Sequence, residues 1–235
     1  MKAIIMAGGE GKRLAPYTHV LPKPLLPLGD RPILEVLLRH LHRHGIREVI
    51  LAVNHLSHLI EAFFGDGRNF GMSITYLMED RPLGTCGPIG SALDKLEEQF
   101  LVANGDLLTN MNIARMIDFH QARKAHVTVG TSQRKMNINL GVLGVEATGR
   151  ISRYDEKPVM TYQASMGLYV FERETVRAHL TRGQYFDMPQ LIEAMIAADK
   201  KIMAFQEECL WLDIGQPEDY EKAQALFVSN PERFC

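Results

Sequence analysis

A chain of 235 residues, 46% of them hydrophobic, is long enough for one sizeable α/β core with room for a small lobe. A formal net charge of −2 gives no electrostatic case for a nucleic-acid or anionic-membrane partner, and no apolar run approaches the ~20 residues of a membrane helix. The short N-terminal apolar run leads straight into glycines, unlike a signal peptide, and Cys86, Cys209 and Cys235 are too widely spaced for a disulfide frame or zinc site, so a reducing cytoplasm is expected.

Ala3 to Ala7 reads as a buried strand. It stops at Gly8-Gly9, and Glu10-Gly11-Lys12-Arg13-Leu14 follows, with Lys23 further on between Pro22 and Pro24. A strand ending in a glycine turn that carries cations suits a phosphate chain, because glycine lets backbone amides approach an anion and Lys or Arg neutralises it. Arg31 to His44 places Ile33, Leu34, Leu37, Leu38 and Leu41 at helical spacing, with Gly45 as a stop. Strands are expected at 48–53, 73–78, 100–103 and 126–131, and helices at 56–64, 88–97 and 112–124. This alternation is the signature of a mostly parallel sheet covered on both faces.

Beyond residue 132 the connections shorten and the strands become hairpin-like, at 140–145, 151–155 and 163–171. Helices follow at 172–180 and 188–198, strands at 201–206 and 209–214, and a helix at 217–229 whose first-turn Glu218 and Asp219 suit its dipole. The expectation is a single domain over 1–235, a three-layer α/β/α core with a mixed sheet. Residues 1–132 would form the nucleotide part and 133–235 the sugar and lid part, with 133–185 as a β-rich lid over the strand ends, where such sheets bind ligands.

A Walker motif is absent, and a dinucleotide fingerprint fails because Leu14 stands where its last glycine belongs. Five segments stand in order instead: Gly8-Gly9-x-Gly11-x-Arg13-Leu14 with Lys23-Pro24, Pro82-Leu83-Gly84-Thr85, Asn104-Gly105-Asp106, Glu156-Lys157-Pro158 and Trp211-Leu212-Asp213-Ile214-Gly215. Together they resemble the sugar-1-phosphate nucleotidyltransferases, most closely the short bacterial guanylyltransferases that serve surface polysaccharide synthesis. The resemblance implies a Rossmann-like nucleotidyltransferase fold, here without the C-terminal β-helix that many members add. It also implies two substrates, a nucleoside triphosphate and a sugar 1-phosphate, and Mg²⁺ as cofactor.

Residue roles follow from the same resemblance. Arg13 would grip the triphosphate and stabilise the leaving pyrophosphate, its fork geometry suiting that task. Lys12 is an accessory cation, and Lys23 would meet the α-phosphate or the sugar phosphate. Asp106 and Asp213, each following an apolar strand, resemble the family's two-aspartate magnesium site, and Mg²⁺ needs only one or two carboxylates beside phosphate and water. Ala7, Gly8, Gly9, Gly11, Pro82, Gly84, Thr85 and Gly105 would line the nucleotide. Gly141, Glu156, Lys157, Ser165 and Gly167 would face the sugar phosphate. Ser165 stands where the family often has Asn, and the segment before Gly141 departs from the family's Pro-Tyr-Gly, which implies altered sugar recognition. Glu79 lies where uridylyl and thymidylyl members carry Gln. A carboxylate only accepts hydrogen bonds, and guanine offers two adjacent donors, so Glu79 favours GTP. A uridylyl- or cytidylyltransferase on the same scaffold, or a non-catalytic nucleotide-sugar-binding regulator, are the alternatives. Asp187 reads as a helix N-cap, the histidines suit no metal site, Cys86, Met188, Met195 and Met203 suit packing, and a lid edge or the terminal helix could mediate a homodimer.

Overall fold

The computed structural model describes residues 1–234, so Cys235 lies outside the described residues. In chain order its elements are β1 (Lys2–Met6), the two-residue strands β2 (Pro27–Leu28) and β3 (Arg31–Pro32), α1 (Ile33–Arg43), β4 (Glu48–Val53), α2 (Ser57–Phe64), β5 (Ser73–Met78), α3 (Gly87–Ala92), β6 (Gln99–Asn104), β7 (Leu107–Thr109) and α4 (Ile113–Arg123). They continue as β8 (Val127–Asn137), β9 (Val142–Val145), β10 (Ile151–Asp155), β11 (Val159–Glu172), α5 (Arg173–Arg177), α6 (Met188–Ala197), β12 (Ile202–Gln206), β13 (Trp211–Asp213) and α7 (Pro217–Ser229).

Seven strands form one sheet in the order β12-β8-β11-β6-β1-β4-β5. Within it β11 alone runs against the rest, pairing antiparallel with both β6 and β8, while β1 pairs parallel with β4 and β6. β1 is central because both its faces are apolar. Ala3 and Ile5 pack with Leu34, Leu37 and Leu41 of α1, whereas Ile4 joins Ile89 of α3 and Leu191 of α6 on the opposite face. Each such fully buried Ile or Leu contributes about 1.5–3 kcal/mol of transfer free energy. Helices α1, α2 and α4 thus cover one face and α3, α5 and α6 the other, giving three layers. A third cluster seats α7 through Ala223 and Phe227 on Leu28, Ile33 and Val36.

The chain reverses its order of strand placement between β1 and β6, and the loops after these strands open at the sheet's carboxyl edge, where ligands bind in such folds. The far halves of β8 and β11 run on as a two-stranded arm with exposed side chains, and the β9–β10 hairpin sits between them in sequence. The division expected at residue 132 falls inside β8.

Several boundaries differ from the sequence expectation. The first helix begins two residues late, at Ile33, because Arg31–Pro32 is spent in pairing with Pro27–Leu28. Helix α3 stops at Ala92 and passes into a 3-10 turn over Leu93–Lys95. The helix expected at 172–180 is only five residues long. β8 and β11 are longer than expected, because their outer halves pair with each other outside the core, where no burial pattern marks them. Met188 and Met195 are core residues, but Met203 is partly exposed because β12 is an edge strand. Among the described cysteines, Cys86 is buried and Cys209 partly so, both free.

Candidate active site

The glycine turn after β1 is held open by its own backbone. Ala7 donates to Ala52 O (2.8 Å) and Leu14 donates to Gly11 O (2.8 Å), and the Thr18 hydroxyl also donates to Gly11 O (3.0 Å). Lys12–Leu14 form one 3-10 turn, which carries Arg13. A second such turn, Lys23–Leu25, is braced by Leu25 N–H on Pro22 O and Leu26 N–H on Lys23 O, and it buries most of the Lys23 side chain. Around these turns lies an open cavity of about 670 Å³ lined by Ala7, Gly8, Gly9, Gly11, Lys12 and Arg13, with Lys23, Pro82, Thr85, Gly105 and Asp106. A contiguous hollow of about 290 Å³ adds Glu79 and Gly84.

Asp106 lies in the turn between β6 and β7, and Asp213 ends β13. The two are brought together because β13 pairs antiparallel with β7, Asp213 opposite Leu107, and Ile214 N–H donates to Asp106 O (3.1 Å). Lys23 Nζ makes an ion pair with Asp106 Oδ2. Asp106 Oδ1 is buried without a hydrogen-bond partner among the described residues, which is costly unless something positive completes it. Burial, then the neighbouring Asp106, pushes the Asp213 carboxyl above its ordinary range, against the pull of Lys23 and Arg13. The Arg13 guanidinium lies beside Gly215, where an added Cβ would stand 3.5 Å from it. Two carboxylates that repel each other, one with an orphaned oxygen, fit a divalent cation held with phosphate and water oxygens.

Glu79 is half-buried at the other end. Its Oε2 accepts from Leu83 N–H (3.1 Å), and burial raises its carboxyl pKa. Gly8 lies close against Glu79, where an added Cβ would stand 2.8 Å from Glu79 Oε1 and 3.3 Å from Asn54 Cβ. Lys12, by contrast, is solvent-exposed and pairs with Glu10 (2.8 Å).

The sugar-side residues do not line these cavities. Glu156 and Lys157 stand exposed on the arm, 3.8 Å from each other, with Tyr154 Oη donating to Glu156 (2.9 Å) and crowding Gly141. Gly167 adjoins the Asn104 side chain at a bulge in β11. Ser165 turns to the other side, sharing a 2.9 Å hydrogen bond with Tyr169 Oη beside an apolar hollow against α6. Sequence reasoning missed Asn54 and gave no role to Asn104 of the Asn104-Gly105-Asp106 segment, and both line the smaller hollow. Both stand at the carboxyl ends of sheet strands, Asn104 as the last residue of β6 and Asn54 just after β4, and that edge position was the available signal.

The fold and this edge define an α/β protein with an open, cation-lined cavity at a topological switch point, the place where such sheets bind ligands. The chain belongs to the nucleotidyl transferase family, whose model matches residues 2–230. A mannose-1-phosphate guanylyltransferase of Mycobacterium tuberculosis is 34% identical over 231 residues, covering 96% of this chain and 64% of its own length. A UTP–glucose-1-phosphate uridylyltransferase of Synechocystis is 30% identical over 250 residues, covering 95% and 62%. The chain thus spans just under two thirds of the length of these two relatives. A D-glycero-alpha-D-manno-heptose 1-phosphate guanylyltransferase of Aneurinibacillus thermoaerophilus is 33% identical, covering 95% of this chain and 97% of its own. The crystal structure of HddC from Yersinia pseudotuberculosis shares the fold, with TM-score 0.76 at 22% identity, covering 96% of this chain and 99% of that one.

Proposed function

We propose that this chain transfers a nucleotidyl group from GTP to a sugar 1-phosphate, releasing pyrophosphate and leaving a GDP-sugar, with Mg²⁺ held by Asp106 and Asp213. The observation that carries this reading is the convergence of Arg13, Lys23, Asp106 and Asp213 at one strand edge, with a buried oxygen of Asp106 lacking any partner. An oxygen of the sugar phosphate forms the new bond to the α-phosphorus as the bond to the leaving pyrophosphate breaks. No protein nucleophile is required. The chain's work is positioning and charge neutralisation, which together supply most of the barrier reduction in such transfers.

Arg13 faces the triphosphate from the glycine turn and takes up charge that moves onto the leaving group. Lys23, restrained between prolines, answers either Asp106 or an entering phosphate. Mg²⁺, when bound, neutralises and orients the triphosphate oxygens. Glu79 is the base selector: guanine's N1–H and amino group are two donors, whereas uracil would set an acceptor against a carboxylate oxygen. The hydroxyls and phosphate of the sugar fall to Glu156, Lys157 and Gly141 beside the β9–β10 hairpin and to Gly167 at the β11 bulge, while Ser165, bonded to Tyr169 and turned toward α6, takes no part. The relatives named as guanylyltransferases support the same choice of base.

The test is pyrophosphate release measured for a matrix of nucleoside triphosphates against sugar 1-phosphates. GTP should lead. Asp106→Asn or Asp213→Asn should lower the rate by about a thousandfold while thermal unfolding stays cooperative. Full activity in either variant overturns the two-aspartate site. A preference for UTP favours the uridylyl reading, and no release with any pair leaves a nucleotide-sugar-binding regulator.

A further inference from the structure

The loop that carries Leu83 to Cys86 along the nucleotide hollow is held mainly from outside itself. The segment just before α6 grips it. Phe186 O accepts from Cys86 N–H and Gly87 N–H, both at 3.0 Å, and Phe186 N–H donates to Leu83 O (2.9 Å). Gly84 is left-handed (φ +79°), and a Cβ there would come within 2.5 Å of Phe186 O and 2.8 Å of Asp187 Oδ1. The approach is as close as backbones allow.

Asp187 closes the grip. Its Oδ1 accepts from Thr85 N–H (2.9 Å) and from the Thr85 hydroxyl (3.1 Å), and its Oδ2 accepts from Tyr185 Oη (2.7 Å). The same Thr85 hydroxyl accepts from Met188 N–H (2.8 Å), so the loop is tied into the first turn of α6. That helix is anchored in the core through Met188, Leu191 and Met195. Hydrogen bonds from Tyr185, then Thr85, hold the Asp187 carboxyl below the ordinary range, so it stays ionised near neutral pH. A cap alone explains only part of this. Asp187 does form a capping box with Gln190, whose side chain accepts from Asp187 N–H (2.9 Å), yet both its carboxylate oxygens also serve groups outside the helix.

We propose that Asp187 is a positioning residue for the nucleotide: it clamps the Leu83–Cys86 loop to α6 and so sets the spacing between Thr85, Gly8 and Glu79. The base selector belongs to the same unit, because Glu79 accepts from Leu83 N–H within this loop. Releasing the clamp should therefore loosen both nucleotide affinity and base discrimination, and leave the sugar side alone. The inference rests on the reading of this hollow as the nucleotide site.

Two substitutions separate clamp from cap. Serine is a good N-cap but too short to reach both Thr85 and Tyr185, so Asp187→Ser keeps the helix start and loses the clamp. Gln190→Ala weakens the capping box and leaves the clamp. The expected result for Asp187→Ser is a rise in KM for GTP of about tenfold and a fall in the GTP-over-UTP preference of similar size. Its kcat and its KM for sugar phosphate should stay within about twofold, and Asp187→Asn should recover most of the loss. Gln190→Ala should lower the unfolding temperature and leave these nucleotide parameters at the wild-type value. A cap-only role gives the reverse: Asp187→Ser indistinguishable from wild type toward GTP and UTP, which overturns the proposal. GTP affinity is also read by calorimetry in Mg²⁺. Failure of the clamp then shows as equal affinities in wild type and Asp187→Ser, whereas failure of the functional reading shows as nucleotide bound without pyrophosphate released.

Discussion

At the scale of single residues, the proposed choice of base rests on Glu79. It is held by one backbone N–H, from Leu83, and its other oxygen lies close over Gly8. A half-buried carboxylate is unfavourable until donors meet it, and burial has already raised its pKa. A base with two adjacent donors relieves that cost, and one with a flanking acceptor adds to it. Glu79→Gln, nearly isosteric, supplies a donor as well as an acceptor and should cut kcat/KM for GTP about a hundredfold while raising that for UTP, read by competition between the two nucleotides. The position of Glu79 relative to the Gly84 loop was visible in the sequence, because the two are close in the chain. The partners of Asp187 were not. Its cap was legible from Met188-Pro189, but Thr85 lies about a hundred residues away in the chain, and nothing local marks that contact.

Elements show the same divide. β1 was legible as a continuous apolar run stopped by Gly8-Gly9, α1 by its periodic apolar face stopped at Gly45, and α7 by Pro217 and the acidic first turn that follows it. β7 and β13 were less so: each is only three residues long, and each is a strand because of the other. Their pairing carries Asp213 to Asp106, so this part of the site depended on a contact that periodicity cannot show. A second set of bonds fastens β13 to the arm. The Arg134 guanidinium of β8 lies 4.4 Å from the centroid of the Trp211 ring and donates to Trp211 O (2.9 Å), while the Trp211 indole N–H donates to Met166 O (3.1 Å) at the β11 bulge. Arg134→Ala removes the stacking and one charge-assisted hydrogen bond, about 1–2 kcal/mol together. It should lower the unfolding temperature by about 2–8 °C. Because Trp211 shares a strand with Asp213, it should also lower the rate of pyrophosphate release, whereas Arg134→Lys, which keeps the charge but not the planar stack, should restore only part.

Over the whole molecule, the sheet order puts the switch point beneath the glycine turn, and the reversed β11 gives the chain its arm, so the glycine turn and the arm fall on opposite sides of β6. The three layers also bury groups that oppose folding in acid. His40 of α1 is buried, with Nε2 directed at Met111 O (2.9 Å) and Nδ1 without a partner. Desolvation, then the neighbouring His44, lowers its pKa from 6.5 to about 4. His120 of α4, packed on β8 through a 2.9 Å contact between its Nδ1 and the Thr128 hydroxyl, falls to about 4 by burial, with a smaller push from His126. A depressed histidine pKa has a definite sign. Between pH 6.5 and 4 the unfolded chain binds more protons than the native one, so stability falls as pH drops through that window and levels off below it. For His40 the difference at pH 4.5 is about 2–3 kcal/mol. Urea unfolding measured from pH 7.5 to pH 4.5 should show that decline, and His40→Gln, which can still donate to Met111 O but does not titrate, should flatten it by about that amount whatever its effect at neutral pH. An identical slope in wild type and His40→Gln would mean that His40 is not the group resisting protonation, and that the acid sensitivity of the fold lies elsewhere.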